Sequence, residues 1–206
     1  MIRGKFITLE GIDGAGKSTH LEGIAAMLRA RGRDVVVTRE PGGTALGEAL
    51  RGLVLAQPMH VDTETLLVFA ARREHLAQVI DPALAAGRWV LCDRFTDATY
   101  AYQGGGHGVA ADRISRLERW VHGETAPDLT LFFDVPPEVA LRRRAASISR
   151  PDRFEREDPA FFERVRRVYL ERARAEPRRV RVVNGDRAPS EVKKELEVII
   201  SDICNS

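Results

Sequence analysis

Short apolar, β-branched runs recur along the chain at 5–10, 34–38, 88–92, 129–134 and 179–183, and the stretches between them are long enough to hold crossover helices. Such runs, bounded by turn formers and alternating with helical periodicity, predict an α/β fold in which helices flank a five-stranded, mainly parallel sheet. Helices are expected from Ser18 to about Arg31, from Asp62 to Leu84 with Gly87 as the stop, and from Ala110 to His122. Another covers Asp158 to Arg174, with Asp158 as cap and Pro159 in the first turn. Ligands of open α/β sheets gather beyond the carboxyl ends of the strands. The residues that follow the runs therefore matter most: Gly11 to Ser18, Thr38-Arg39-Glu40-Pro41-Gly42-Gly43, Asp93-Arg94-Phe95 and Asn184-Gly185-Asp186, all expected on one rim.

After the first run comes Gly11-Ile12-Asp13-Gly14-Ala15-Gly16-Lys17-Ser18, followed by Thr19 and a helical pattern. The spacing G-x-x-x-x-G-K-[ST] is that of a phosphate-binding loop. Its glycines let backbone N–H groups curl around phosphate oxygens, Lys17 reaches the outer phosphates and Ser18 can ligand Mg²⁺. The positive end of the helix behind it adds to the anion site. A strand before and a helix after are the context the motif requires, and they make the expected architecture a three-layer P-loop NTPase fold.

At 206 residues the chain fits a single domain, 1–206. A net charge of +2 excludes the overall field of a nucleic-acid binder, and no apolar run is long enough to span a membrane. Two cysteines, Cys92 and Cys204, make no disulfide framework, and Cys92 in Trp89-Val90-Leu91-Cys92 reads as a buried small hydrophobe. A soluble, cytoplasmic protein is the expectation. The basic residues are nearly all arginines, and 14 of them lie between Leu141 and Arg181 against seven acidic residues.

A phosphate loop is common to kinases, GTPases and motor ATPases, so other residues must separate them. No N-K-x-D string for reading guanine is present. Val90-Leu91-Cys92-Asp93 ends instead in an acid followed at once by Arg94, which suits a two-phosphate site. Asp93 can hold the Mg²⁺ water shell while Arg94 clamps the accepting phosphate. Phosphoryl transfer leaves the protein mainly the work of positioning and neutralising charge. The segment from about 142 to 157, with Arg142, Arg143, Arg144, Arg150 and Arg153 around Ser147, Ser149 and Pro151, reads as an arginine-rich lid able to close over nucleotide.

Together these strings, with Ala101-Tyr102-Gln103-Gly104-Gly105-Gly106 and Pro127-Asp128-Leu129-Thr130, resemble a bacterial thymidylate kinase over nearly the whole chain. The resemblance implies transfer of the γ-phosphoryl group of ATP to dTMP, giving dTDP and ADP, with Mg²⁺ at Ser18 and Asp93. It implies that Gly11 to Thr19 cradle the donor, with Asp186 and a lid arginine, Arg143, near the adenine. Asp13, Arg94, Arg51 and Glu40 would surround the dTMP phosphate and sugar, Thr99 and Gln103 the thymine edge, and Tyr102 the 2′ position.

The family commonly stacks a phenylalanine on thymine four residues before a base-bonding arginine. In this chain four residues before Arg72 stands Val68, and four after Phe69 stands Arg73; the pair expected is Phe69 with Arg72, three apart, which keeps Pro82-Ala83-Leu84 in register, and Arg73 is the other candidate. Phe95 stands where a tyrosine is frequent. Lys17, Asp93 and Arg94 are the expected catalytic residues. The phosphate loop has no arginine of its own among Ile12 to Ala15, so Arg150 and Arg153 of the lid join them. A homodimer packed through helices near 62–86 and 110–122 completes the implication.

Overall fold

The computed structural model describes residues 3–145 and 152–205. Five strands, β1 (Phe6–Glu10), β2 (Val35–Arg39), β3 (Trp89–Asp93), β4 (Leu129–Asp134) and β5 (Val180–Asn184), form one sheet in the order β2-β3-β1-β4-β5. Every pairing is parallel, so "mainly parallel" becomes wholly parallel and all five carboxyl ends share one rim. All five residues of β1 are buried, as expected of a central strand covered on both faces.

The helices are α1 (Lys17–Arg29), α2 (Ala45–Ala56), α3 (Val61–His75), α4 (Asp81–Ala85), α5 (Thr96–Thr99), α6 (Ala111–His122), α7 (Pro137–Ala145), α8 (Pro159–Ala175) and α9 (Pro189–Asn205). The helix expected over 62–84 is divided. A π-helical turn, Leu76–Ile80, separates α3 from α4, directly before Pro82, which has no N–H to give and whose ring crowds the carbonyl one turn back. Helix α2 has no counterpart among the expected helices. Gly47 and Gly52 dilute its helical pattern, yet Thr44 caps it by accepting from the Gly47 N–H at 3.0 Å.

The Tyr-Gln-Gly-Gly-Gly string is also helical. Helix α5 runs on into π-helical turns over Tyr100–Gly106, which pack against α8. A Cβ on Gly105 would sit 2.6 Å from Val168 Cγ2 and 2.9 Å from the Arg164 carbonyl oxygen, and one on Gly106 would sit 2.3 Å from the Phe161 ring. The glycines thus let this segment lie against α8, an approach that aims Tyr102 and Gln103 into the molecule.

No helix among the described residues is long and apolar enough to cross a membrane. Cys92 is buried, as its apolar strand led one to expect. Residues 146–151 of the expected lid, Arg150 among them, lie outside the described residues.

Candidate active site

Two cavities open on the carboxyl rim and meet at one ion pair. The first, of ≈ 570 Å³, follows the loop from Asp13 to Thr19 and is closed by Asp93, Arg143, Arg144, Gly185 and Arg187. Gly16 takes φ = 98° at the start of α1, and Gly14 (φ = 89°) leaves no room for a side chain, since a Cβ there would lie 2.4 Å from the Ala140 carbonyl oxygen. Lys17 is buried and its ammonium donates to the carbonyls of Gly11 (2.8 Å) and Ile12 (3.1 Å). Burial and the Arg94 charge lower its pKa from the ordinary lysine value, while Asp13 and Asp93 oppose that shift.

Asp93 Oδ1 is buried without a hydrogen-bond partner among the described residues. An orphaned oxygen beside the loop lysine is a hard acceptor of the type Mg²⁺ takes, and the described residues hold no cluster of three acids, histidines or cysteines that would cage a metal. A magnesium ion carried mainly by phosphate and water oxygens fits this donor set.

At the boundary, Arg94 donates to Asp13 Oδ1 (2.7 Å), the Gly11 carbonyl (2.9 Å) and the Tyr102 hydroxyl (3.2 Å), with its guanidinium 4.9 Å over the Tyr102 ring. Its backbone is left-handed, φ = 71°, a strained state for a residue with a side chain and one that recurs at functional sites. Burial pushes the Asp13 carboxyl up, but Arg94 and then Lys17 outweigh it and hold the pKa at about 2. Asp13 therefore stays ionised and lines both cavities. Below this pair, Glu10 accepts from the Phe95 N–H and from the Tyr169 hydroxyl, both at 2.7 Å.

The second cavity is lined by Glu40, Arg51, Arg72, Arg94, Thr99, Tyr102 and Gln103 on its polar side and by Val54, Leu55, Val68, Phe95, Ala98 and Phe154 on its apolar side. Arg72, 1% exposed, is its centre. Nε donates to Glu40 Oε2 at 2.6 Å and Nη2 to Thr99 Oγ1 at 3.0 Å, while the guanidinium stands 4.9 Å from the Phe69 ring and 5.0 Å from that of Phe95. Nη1 is buried and has no partner among the described residues. Buried polar groups are nearly always bonded, so an orphan of this kind marks a place where something else binds.

Opposing charges hold this corner. The Glu40 carboxyl is pushed up by burial but pulled below the ordinary range by Arg72 and by His75, whose Nδ1 is 2.9 Å from Oε1. His75 Nε2 in turn lies 2.7 Å from Thr38 Oγ1. Arg51 bonds the Pro41 carbonyl at 3.0 Å.

The expected residues thus divide in three. Gly11 to Thr19, Asp93 and Arg143 gather at the phosphate loop, and Asp186 stands behind them, 3.5 Å from Arg143. Asp13, Glu40, Arg51, Arg72, Arg94, Thr99, Tyr102 and Gln103 gather in the second cavity. Phe69, Arg73 and Arg153 lie elsewhere. Phe69 is in the core with Phe6, Phe95 and Ile114 and supports Arg72 from behind; the residue facing the cavity from this helix is Val68. Residues 68 and 72 are one helical turn apart and share a face, whereas 69 is rotated by about 100° from 68. Arg73 points away, donating to the Val121 carbonyl at 2.7 Å.

Arg153, expected at the transferring phosphoryl group, instead bonds the Val54 carbonyl (3.2 Å) and pairs with Glu64. Among the described residues of the expected lid, Arg143 and Arg144 reach the phosphate cleft. His75 and Glu64 escaped the sequence reading as site residues, whereas Arg144 belonged to the expected lid and Val68 to the register not preferred there. A histidine one turn beyond Arg72, at i+3, was the one available signal for His75.

A family model described as thymidylate kinase matches residues 9–196, which is nearly the whole chain. The chain belongs to the thymidylate kinase family. It is 63% identical over 194 residues to a thymidylate kinase of Bordetella petrii, covering 94% of this chain and 93% of that one. It is 60% identical over 202 residues to a thymidylate kinase of Cupriavidus metallidurans, covering 98% and 100%. A crystal structure of thymidylate kinase from Ehrlichia chaffeensis superposes with a TM-score of 0.77 at 34% identity, covering 96% of this chain and 99% of that one. The conversion of dTMP to dTDP is the reaction that thymidylate kinase membership carries, and a nucleotide is its phosphoryl donor.

Proposed function

We propose that dTMP occupies the cavity around Arg72 and that ATP lies along the phosphate loop, so that the accepting and transferred phosphates meet at Asp13 and Arg94. The observation that carries this reading is the pair of adjoining cavities with a buried, unbonded atom in each: the Arg72 Nη1 donor in one and the Asp93 Oδ1 acceptor in the other. Arg72 Nη1 offers its N–H to a base carbonyl, while Thr99 and Gln103 line the same edge. Tyr102 packs where a 2′ hydroxyl would have to fit. Arg94 and Arg51 clamp the accepting phosphate, and Glu40 holds the arginine corner rigid.

On the donor side, Lys17 exchanges the carbonyls of Gly11 and Ile12 for phosphate oxygens, keeping its charge among acceptors throughout. The backbone N–H groups of Gly11 to Thr19 orient the chain of phosphates, and Arg143 and Asp186 border the nucleoside end. Ser18 and Asp93 are the residues that would hold Mg²⁺, which would supply positive charge against the phosphoryl oxygens. Lid arginines add to that charge. Arg144, at the cleft and packed 5.1 Å over Phe162, joins Arg150 as a candidate, whereas Arg153 is engaged with Glu64. Preorganised positive charge around in-line phosphates is the largest contribution expected of this site.

The working form is a homodimer in the cytoplasm. Its support is a set of exposed large hydrophobics on neighbouring helices: Leu46 and Leu53 on α2, Leu66 on α3, and Trp120, 78% exposed, on α6. A panel of dTMP, dUMP, UMP, dCMP, AMP and GMP with ATP and Mg²⁺, read as ADP release, tests the assignment of both cavities. Preference for dTMP is expected, and equal turnover of all acceptors would overturn it.

A further inference from the structure

Glu64 lines neither cavity, yet it is fully buried and engages two residues that flank the acceptor side. Its Oε1 accepts from Gln103 Nε2 at 2.7 Å, and its Oε2 pairs with Arg153, whose guanidinium also lies 4.7 Å over the Phe154 ring. His107 Nε2 is 3.7 Å from the same Oε1 and has no hydrogen-bond partner among the described residues. A buried carboxylate surrounded by donors on every side is more than a surface ion pair.

The chemistry of the amide makes this consequential. Gln103 carries a donor and an acceptor that differ only by a half-turn of the side chain, and a carboxylate can only accept. One N–H of Gln103 is therefore committed to Glu64, which fixes the end of the amide that turns to the carboxylate and leaves the carbonyl oxygen as the end for the cavity that Gln103 lines. Arg72, whose free Nη1 is a donor, lines the same cavity and bonds Thr99, one helical turn before Gln103.

We propose that Glu64 is a specificity-positioning residue: by locking the Gln103 amide with its carbonyl inward, it makes the pocket present an acceptor together with the Arg72 donor. That pair fits a pyrimidine with a ring N–H next to a carbonyl. It rejects a pyrimidine with an unprotonated ring nitrogen next to an amino group, which would set acceptor against acceptor and donor against donor. Arg153 gives the buried carboxylate its counter-charge, which explains why it turns to Glu64 and away from the phosphate cleft. The proposal rests on the reading of this cavity as the acceptor-base site.

The test compares kcat/KM for dTMP and dCMP in the full-length enzyme. Glu64→Gln keeps the shape of the side chain but can donate as well as accept, so the Gln103 amide is freed to turn over. The ratio of dTMP to dCMP should narrow by roughly tenfold, about what one buried hydrogen bond is worth. The change should come chiefly through KM for dTMP, and Gln103→Ala combined with Glu64→Gln should be no worse than Gln103→Ala alone. If Glu64→Gln lowers both substrates equally while Gln103→Ala narrows the ratio, Glu64 merely supports the fold and the proposal fails. If Gln103→Ala changes neither the ratio nor KM for dTMP, the acceptor-base reading fails with it. Should Glu64→Gln not fold, Glu64→Asp, which keeps the charge but draws the carboxylate back by one carbon, is held to the same ratio.

Discussion

Arg72 divides its three nitrogens among three tasks, and Arg72→Lys separates them. Nε holds Glu40, Nη2 holds Thr99, and Nη1, without a partner among the described residues, is the atom proposed to meet the substrate. A lysine brings one compact ammonium where a planar fork stood, so it can keep Glu40 or reach the substrate but not both. Glu40 retains His75 on its other oxygen, so the buried acid is weakened but not abandoned. Breaking one partner of a buried pair costs about 3 kcal/mol, which for a chain of this length lowers Tm by roughly 6–12 °C. Loss of the charge-assisted bond to the substrate is worth about 1.5–3 kcal/mol, a fall of roughly 10- to 150-fold in kcat/KM for dTMP. Steady-state ADP release at varied dTMP, with a thermal melt on the same sample, measures both. Arg73→Lys is the control, because Arg73 faces the Val121 carbonyl and Asp81. It should stay within about threefold of the parent by the same free-energy reckoning. An Arg72→Lys enzyme with parental kcat/KM and unchanged preference for dTMP, or a larger loss in Arg73→Lys, would refute the assignment of Nη1.

Lys17→Ala should cut kcat by about 10²–10³-fold, the usual loss when one preorganised donor is removed, while dTMP binding followed by calorimetry stays near parental; rapid turnover would contradict its phosphate role. Burial, aided by the neighbouring Asp97 charge, raises the Glu10 carboxyl to a pKa of about 7, so the folded protein favours the protonated form. The stability this gives is complete below the ordinary carboxyl range and is lost as pH rises through 7, by roughly 3 kcal/mol at most. Glu10→Gln should therefore flatten the fall of Tm between pH 5.5 and 8, and parallel curves for the two proteins would rule this out. Trp120→Glu should shift the sedimenting species from dimer to monomer with the melt little changed, and a parent protein already monomeric at micromolar concentration would remove the homodimer.

Much of this site was legible because its chemistry is local. The phosphate loop needs glycines, a lysine and a serine within eight consecutive residues, and the backbone between two elements dictates their spacing. Asp93-Arg94 follows a strand directly, so its position on the rim depended only on the strand being parallel to its neighbours. Phe69 went differently. The family resemblance implied that Phe69 stacks on the base, and the ring does stack, but on Arg72 from the core side. Which of Val68 and Phe69 faces the cavity depends on how α3 is rotated against α2 and α6, and a helix apolar on both sides of Arg72 carries no signal for that rotation. Glu64 was hidden for a similar reason: an acid in the first turn of a helix ordinarily caps or solvates it, and only the packing of α2 and the Tyr100–Gly106 turns against α3 buries it.

By itself the amino-acid sequence determined the α/β class, the strand ends that gather on one rim and the glycine-lysine-serine loop, since each follows from periodicity or from residues adjacent along the backbone. Tertiary structure decided the rest. The order β2-β3-β1-β4-β5 sets β3 beside β1, and through that neighbour relation Arg94 reaches Asp13 across 81 positions of sequence. Contacts at that separation depend on how whole elements pack, so the ion pair that joins the two cavities, the Arg72–Glu40–His75 corner and the burial of Glu64 exist only once the chain has folded.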